Sequence, residues 1–362
     1  MADFLKRAAR QAVATVAVSA RLRPVVPRGR AVILRYHRIV GPNARPVPLG
    51  LPADEFEAQL DFLRERCHVM PAGEIAAAVA AGEPLPPRAV AITFDDGYAD
   101  NHSQAFRLLQ SRGLRASFFV TAGWIGSDKV LWWDRVHDYV RQALEQGSQP
   151  RDYEDLPRPV AAALAAANLF SPAGAVSLEH GLLTALRGRE LAPEPLDELV
   201  ERIAAALGAD EAESEPYRPM TWDQVRELRE AGMEIGSHTM FHALLATVPA
   251  ERAYEELEKS KQAIEKELGQ PVATVAYPAG SHNADVVELV KEAGYQAAFT
   301  TVSGPVCPGD DPFRLRRIGV WAGGYQGAFR PFSAAVFGLQ IGRLARGPLP
   351  GRGIGEIHRR GR

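Results

Sequence analysis

Short apolar runs and longer amphipathic stretches alternate along this chain. The clearest run, residues 89–94, reads as a buried strand and ends in Asp95-Asp96-Gly97, a turn signal. Comparable runs cover residues 31–39, 116–121, 233–236, 272–277, 297–302 and 314–321. Between them, apolar residues recur at helical spacing: Phe56, Leu60 and Leu63; Ala105, Leu108 and Leu109; Ala253, Leu257, Ile264 and Leu268. Further helices are predicted over 72–81, 221–232 and 285–293. Strands alternating with helices mean parallel β/α units, and seven or eight strands suit a barrel better than a small open sheet. One stretch breaks the alternation. Residues 128–219 are rich in Ala and Leu and carry helical patterns near 136–144, 160–169, 182–186 and 196–207. They read as an all-helical insertion that caps or borders the site.

Composition changes this picture little. With 362 residues, 46% hydrophobic and 24% charged, the chain has ample material for a globular core. Charge is more informative. The net value of -2 conceals a basic N-terminal segment, 1–30, and a basic C-terminal tail, 326–362, each at +6, around a body at -14. An acidic body argues against a general nucleic-acid binder, while the ends suit peripheral contact with an anionic membrane surface. In the tail, Phe332, Val336, Phe337, Leu339, Ile341 and Leu344 with Arg343 and Arg346 suit an interfacial helix or, equally, one docked on the core. The two cysteines, Cys67 and Cys307, form no disulfide framework or sulfur metal motif. No apolar run reaches the length of a membrane span. Lys6, Arg7 and Arg10 ahead of residues 12–20 predict a basic amphipathic helix, with a signal peptide ending near Val18-Ser19-Ala20 as the alternative. Location is accordingly open between the cytoplasm, the inner membrane face and export.

The candidate chemistry gathers at strand ends. Two adjacent acids at a strand terminus can be aimed at different targets, one at a metal and one at a proton. A second strand, residues 233–236, delivers His238 and His242, four residues apart. That spacing predicts both imidazoles on one face of a helical turn. Two histidines and one carboxylate leave positions open for water, as a hydrolytic metal needs. His37 at the end of the first strand and the Tyr277-Pro278-Ala279-Gly280 turn also fall at strand C-terminal ends, where β/α barrels build their sites.

These motifs resemble those of the polysaccharide deacetylases, the NodB-homology group of carbohydrate esterase family 4. Thr93-Phe94-Asp95-Asp96-Gly97-Tyr98 is similar to the family's first motif, Ser237-His238-Thr239-Met240-Phe241-His242 to its second, and Tyr277 to Gly280 to a weakened third. The resemblance spans residues 31–325 and implies a distorted (β/α)7 barrel. It implies a hydrolase removing N-acetyl, less often O-acetyl, groups from a glycan of the chitooligosaccharide or exopolysaccharide class. By the same resemblance, Asp96, His238 and His242 hold a divalent metal, with Zn²⁺ as first expectation and Co²⁺ or Ni²⁺ as alternatives. Asp95 is then the general base, and Tyr98, Tyr277, Pro278, Ala279 and Gly280 belong to the substrate site. Two departures stand out. The third motif's base-orienting Arg falls at Ala276, which leaves Arg38, Arg316 or Arg317 as substitutes. No late acid His follows His282 until His358, and Tyr36-His37-Arg38 resembles a permuted subgroup whose acid His comes early, so His37 is the candidate acid and His282 the reserve. His102, His137 and His180 have weaker claims. Trp124, Trp132, Trp133 and Trp321 could stack on sugar rings or pack the core. A metal hydrolase of a non-sugar C–N bond and a non-catalytic carbohydrate binder are the competing readings.

Overall fold

The computed structural model describes residues 25–322 and 333–347, apart from 43, 46, 188–192 and 213–214. The N-terminal basic segment up to residue 24, Phe332, and the tail from residue 348 therefore lie outside the described residues. In chain order the strands are β1 (Ala31–Tyr36), β2 (Arg38–Val40), β3 (Gly50–Pro52), β4 (His68–Val69), β5 (Ala89–Phe94), β6 (Ser117–Val120), β7 (Glu234–Ser237), β8 (Thr274–Ala276), β9 (Ala297–Phe299) and β10 (Ile318–Gly319). The main sheet runs β10-β1-β5-β6-β7-β8-β9, with β4 beside β5, and among the described residues its strands pair in parallel. It curls into a half-barrel. Leu315 bonds to Ala298 and Thr300 next to β9, and Ile318 and Gly319 pair with β1, so one short segment approaches both edges of the curl.

Side-chain alternation explains the curl's two faces. Val32, Leu34, Tyr36, Val90, Ile92 and Phe94 point out to the helices, where Phe94 stacks on Phe118 at 4.8 Å and meets Phe56 edge-on. Ala31, Ile33, Ala89 and Ala91 point in, toward Phe119, Phe299 and Ala276. The helix Ala72–Ala80 adds Ile75, Ala76 and Val79 to this inner cluster. Because the strands are parallel, their C-terminal ends share one rim, and His37, Asp95, His238, Tyr277 and Thr300 follow β1, β5, β7, β8 and β9 there.

Several elements are shorter than the pattern predicts. The runs 297–302 and 314–321 hold strands only at Ala297–Phe299 and Ile318–Gly319; between these, the two segments are joined by isolated bonds, Thr300 N–H to Leu315 O and Arg317 N–H to Val302 O. The helix after Tyr98 opens as a π-turn, Asn101–Phe106, before the α-turn Arg107–Gln110.

The insertion folds as four helices, Trp132–Gln146, Arg158–Ala165, Pro172–Arg187 and Pro193–Leu207, around a core of its own that includes Val136, Val160, Leu182 and Ile203. The helix Ala334–Leu344 is capped by Ser333 and docks Val336, Phe337 and Ile341 inward, with Phe337 edge-on to Phe62 at 5.7 Å. Its apolar face is thus occupied by the helix Ala53–Arg66. No helix of the described residues is long and apolar enough to cross a membrane.

Docking of that last helix is testable. Phe337→Ala should destabilise the fold by about 3–5 kcal/mol, the usual cost of emptying a buried aromatic site. Urea unfolding measures this, and a change under about 0.5 kcal/mol, the surface range, would show that the helix does not dock.

Candidate metal centre and active site

The site begins with the turn that follows β5. Asp96 takes a left-handed backbone (φ 75°) and Gly97 another (φ 96°). A Cβ at Gly97 would lie 2.8 Å from Ile125, so this position excludes side chains on both conformational and steric grounds. Thr121 N–H donates to Asp96 O and Met220 N–H to Gly97 O, which pins the turn from two sides. The result separates the two acids: Asp95 stays on the inner face and Asp96 swings toward the end of β7.

There it meets both histidines. Asp96 Oδ1 lies 3.4 Å from His238 Nε2 and 3.6 Å from His242 Nε2, and the three ligand atoms fall within 4.8 Å of one another. His238 Nδ1–H donates to Ala276 O at 2.8 Å, which leaves Nε2 to face the site. Asp96 Oδ1 is buried with no hydrogen-bond partner. An orphaned carboxylate oxygen facing two imidazole nitrogens fits a divalent cation of the borderline type. Burial alone would raise the Asp96 carboxyl, but the imidazoles of His238, His37 and His242 hold it below the usual range. Burial and the neighbouring His238 bring His242 down to about 3, so its imidazole is neutral and able to ligate.

The histidines do not share a helical turn. Residues 238–242 form a loop in which Thr239 and His242 are left-handed (φ 65° and 59°). The spacing of four brings them together by a different route, and it needs support that the sequence pattern does not announce. Glu256, buried on the helix Ala250–Leu268, accepts Phe241 N–H at 2.7 Å and contacts Thr239 and Met240, with Arg252 at 2.8 Å balancing its charge. Trp133 of the insertion packs on the His242 ring at 4.5 Å. Neither residue stands out by spacing. An acid on the buried face of a long amphipathic helix is the one sequence signal that marks Glu256.

Asp95 has a separate partner. Arg317 grips both its oxygens, Nη1 to Oδ1 at 2.6 Å and Nη2 to Oδ2 at 2.7 Å. The guanidinium also donates to Thr300 O and Thr93 Oγ1, and it is fully buried. Burial would raise the Asp95 carboxyl, but Arg317 outweighs it and holds the group well below the usual carboxylate range. Of the three arginines named as substitutes for the missing Arg, it is Arg317 that contacts Asp95. Arg316 pairs with Asp310, and Arg38 pairs with Asp100. Ala276, where the Arg would fall, is buried against the inner cluster.

His37 sits at the same rim, its backbone O accepting from Asn101 Nδ2 at 2.7 Å. Burial lowers its imidazole to about 4, against the pull of Asp96 and Asp95. The other histidines are engaged elsewhere or outlying: His102 with Glu227, His137 with Glu179, His180 exposed on the insertion, His282 with Gly280 O.

The tyrosines expected at substrate are not free for it. Tyr98 is buried, donates to Asp134 Oδ2 at 2.7 Å and accepts from Trp133 Nε1 at 2.9 Å, with Arg38 over its ring at 4.4 Å. Tyr277 is buried, donates to Phe313 O and stacks on His282. Both rings are closed off by packing, because strand-end aromatics here fasten the rim rather than line it. Pro278 is buried as well, whereas Ala279 (φ 50°) is exposed and Gly280 half-buried on the same turn. Among the tryptophans, Trp124 and Trp133 are buried, Trp132 is half-buried and Trp321 is exposed.

Comparison with known proteins accords with this geometry. The polysaccharide deacetylase family model matches residues 82–161 and 202–298, so that its gap falls inside the helical insertion. The barrel belongs to the polysaccharide deacetylase family. YxkH of Bacillus subtilis (strain 168), whose name places it among the polysaccharide deacetylases, is 22% identical over 310 residues, covering 85% of this chain and 75% of its own. Among solved structures, IcaB from Ammonifex degensii superposes with a TM-score of 0.55 at 20% identity, covering 87% of this chain and 98% of that one. The Streptococcus pyogenes deacetylase PplD in complex with acetate gives 0.52 at 19%, covering 81% and 92%. At such identities the structural likenesses establish the fold, a curled parallel-strand half-barrel. Family membership makes the chain a hydrolase of carbon–nitrogen bonds other than peptide bonds.

Two substitutions test the supports. Glu256→Gln keeps the volume but removes the charge that holds Phe241 N–H, and it should weaken Zn²⁺ affinity by about 10–100-fold, measured by competition with a chromophoric chelator. Unchanged affinity would mean that the loop holds itself. Arg317→Met should cost about 3–5 kcal/mol at pH 7 by leaving Asp95 buried and unpaired. Because Arg317 depresses the folded-state Asp95 value, its stabilisation is present above the unfolded value and fades as pH falls below about 4. The deficit of the variant should therefore shrink between urea melts at pH 7 and pH 3.5, and a deficit that grew in acid would contradict the pairing.

Proposed function

We propose that the protein is a metal-dependent deacetylase that removes N-acetyl groups from a glycan or glycan precursor of the N-acetylhexosamine type, in the chitooligosaccharide or exopolysaccharide class. One observation carries the reading: Asp96, His238 and His242 converge while Asp95, next in sequence, is held apart by Arg317. A site with one acid for a cation and one for a proton suits hydrolysis of an acetyl group.

Asp96, His238 and His242 are the residues that would hold a divalent ion, Zn²⁺ by preference. When bound, such an ion polarises an acetyl carbonyl and acidifies water. Asp95 remains ionised across the working pH range, and its carboxylate retains lone pairs beyond those taken by Arg317, so it takes the proton of the attacking water. Arg317 fixes the direction from which that proton is taken. His37 is the group placed to protonate the leaving nitrogen; because burial keeps its imidazole neutral at rest, it first takes up a proton and gives it on as the imidazolium. An amine leaves poorly as an anion, so this last transfer matters far more for an amide than for an activated ester.

Acetate release from N-acetylglucosamine oligomers, lost with chelator and restored by Zn²⁺, tests the activity. His37→Ala should lower that release by about 10²–10⁴-fold, the usual contribution of a positioned acid, while largely sparing cleavage of 4-nitrophenyl acetate. Equal losses on both substrates would remove His37 from the acid's role.

A further inference from the structure

The deep-set arginines Arg38, Arg112, Arg135 and Arg317 each grip a carboxylate. Arg35 does not. It lies on β1 in register with Thr93 of β5 and Gly319 of β10, and so shares the inner face with Thr93 and Asp95, one alternation below His37. Its Nε is buried with no hydrogen-bond partner, and it makes no ion pair among the described residues. The space it occupies depends on Gly319: a Cβ there would come within 3.2 Å of Arg35 Nη2. The two acids nearest in effect, Asp95 and Asp96, are committed to Arg317 and to the histidine site. A guanidinium half-buried without an acid is costly, and burial together with the like charge of Arg317 brings it down to about 10.

A second unpaired cation approaches from the other side. Arg187 ends the insertion helix Pro172–Arg187, which is tied to the helix Trp132–Gln146 through His137 and Glu179. Trp133, at the start of the latter helix, packs on His242. Arg187 is exposed, has no ion pair among the described residues, and its charge bears on both Asp96 and His242. Three guanidiniums, Arg35, Arg187 and Arg317, thus act on Asp95 and Asp96, and of the three only Arg317 is paired with a carboxylate among the described residues. Folding alone gives no reason to leave the half-buried Arg35 without an acid, whereas an incoming anion does, and the exposed Arg187 is free to meet the same anion.

We propose that Arg35 and Arg187 form an anion subsite beside the acetyl-binding position, and that the substrate is a glycan bearing a carboxylate or phosphate on the acetylated sugar or its neighbour. This rests on the deacetylase reading and narrows its substrate class. Arg35 sets the anion's place from the barrel floor, and Arg187 closes on it from the insertion. A guanidinium fork suits both carboxylate and phosphate oxygens.

Direct binding separates this proposal from the activity itself. Hyaluronan oligosaccharides carry a carboxylate next to each N-acetylglucosamine, UDP-N-acetylglucosamine carries phosphates, and chitotetraose is neutral. Calorimetric titration of the full chain at low salt should give at least tenfold tighter binding for one of the two anionic probes than for chitotetraose, and which probe wins tells carboxylate from phosphate. Arg187→Glu and Arg35→Gln should each remove most of that difference, and Arg35→Lys should keep part of it. Equal affinity for all three probes, or a preference that survives both charge-removing substitutions, overturns the subsite. Acetate release from chitotetraose is scored separately: its absence would count against the deacetylase reading, whereas the binding preference stands or falls on the arginines.

Discussion

A fully buried guanidinium, forked onto the carboxylate of Asp95, is the interaction on which the rest of the rim depends. Arg317 reaches Asp95 and Thr93 at the end of β5 and Thr300 just past β9, and Thr93 in turn donates to Leu34 O of β1. One side chain thus ties together segments that lie far apart along the chain. It also parts the two neighbouring acids: Asp95 is held by the guanidinium, while Asp96 faces His238 and His242. A buried ion pair is weak evidence of stability in general, but here it fixes where each acid points.

Much of this was legible in the pattern of residues. The apolar run before Asp95, the strand before His238 and the alternation with helices placed the acids and histidines on one rim. The insertion could be seen from its lack of strand pattern. What the pattern could not settle was anything that turns on a single step of register. Arg316 and Arg317 are adjacent, so they point opposite ways, and only the backbone path past Leu315 decides that Arg317 faces Asp95 while Arg316 turns to Asp310. The loop carrying the histidines shows the same limit. A spacing of four suggests a helical turn, yet left-handed Thr239 and His242 reach the same convergence by a strained loop. Tyr98 and Tyr277 misled for a related reason, since an aromatic at a strand end reads alike whether it lines the rim or fastens it.

The supports of the site come from outside its motifs. Glu256 steadies the histidine loop from a helix on the outer layer, and Asn101 steadies the backbone of His37 from a π-turn. Trp133 reaches His242 from the insertion, anchored through Tyr98. Each is a long-range contact between a short loop and a rigid element, which is how a rim of loops acquires fixed geometry.

The insertion's private core has a consequence for how such a protein can diversify. Val136, Leu182 and Ile203 pack among themselves and not with the strands, so their volumes can drift or be exchanged wholesale without disturbing the catalytic floor. The contacts by which the insertion meets the rest of the chain, among them Tyr98 with Trp133 and Asp134, His242 with Trp133, and Arg45 with Asp138, are what must be kept. A barrel with this construction can acquire a new mouth, and with it a new diet of sugars, by remodelling one self-contained helical bundle.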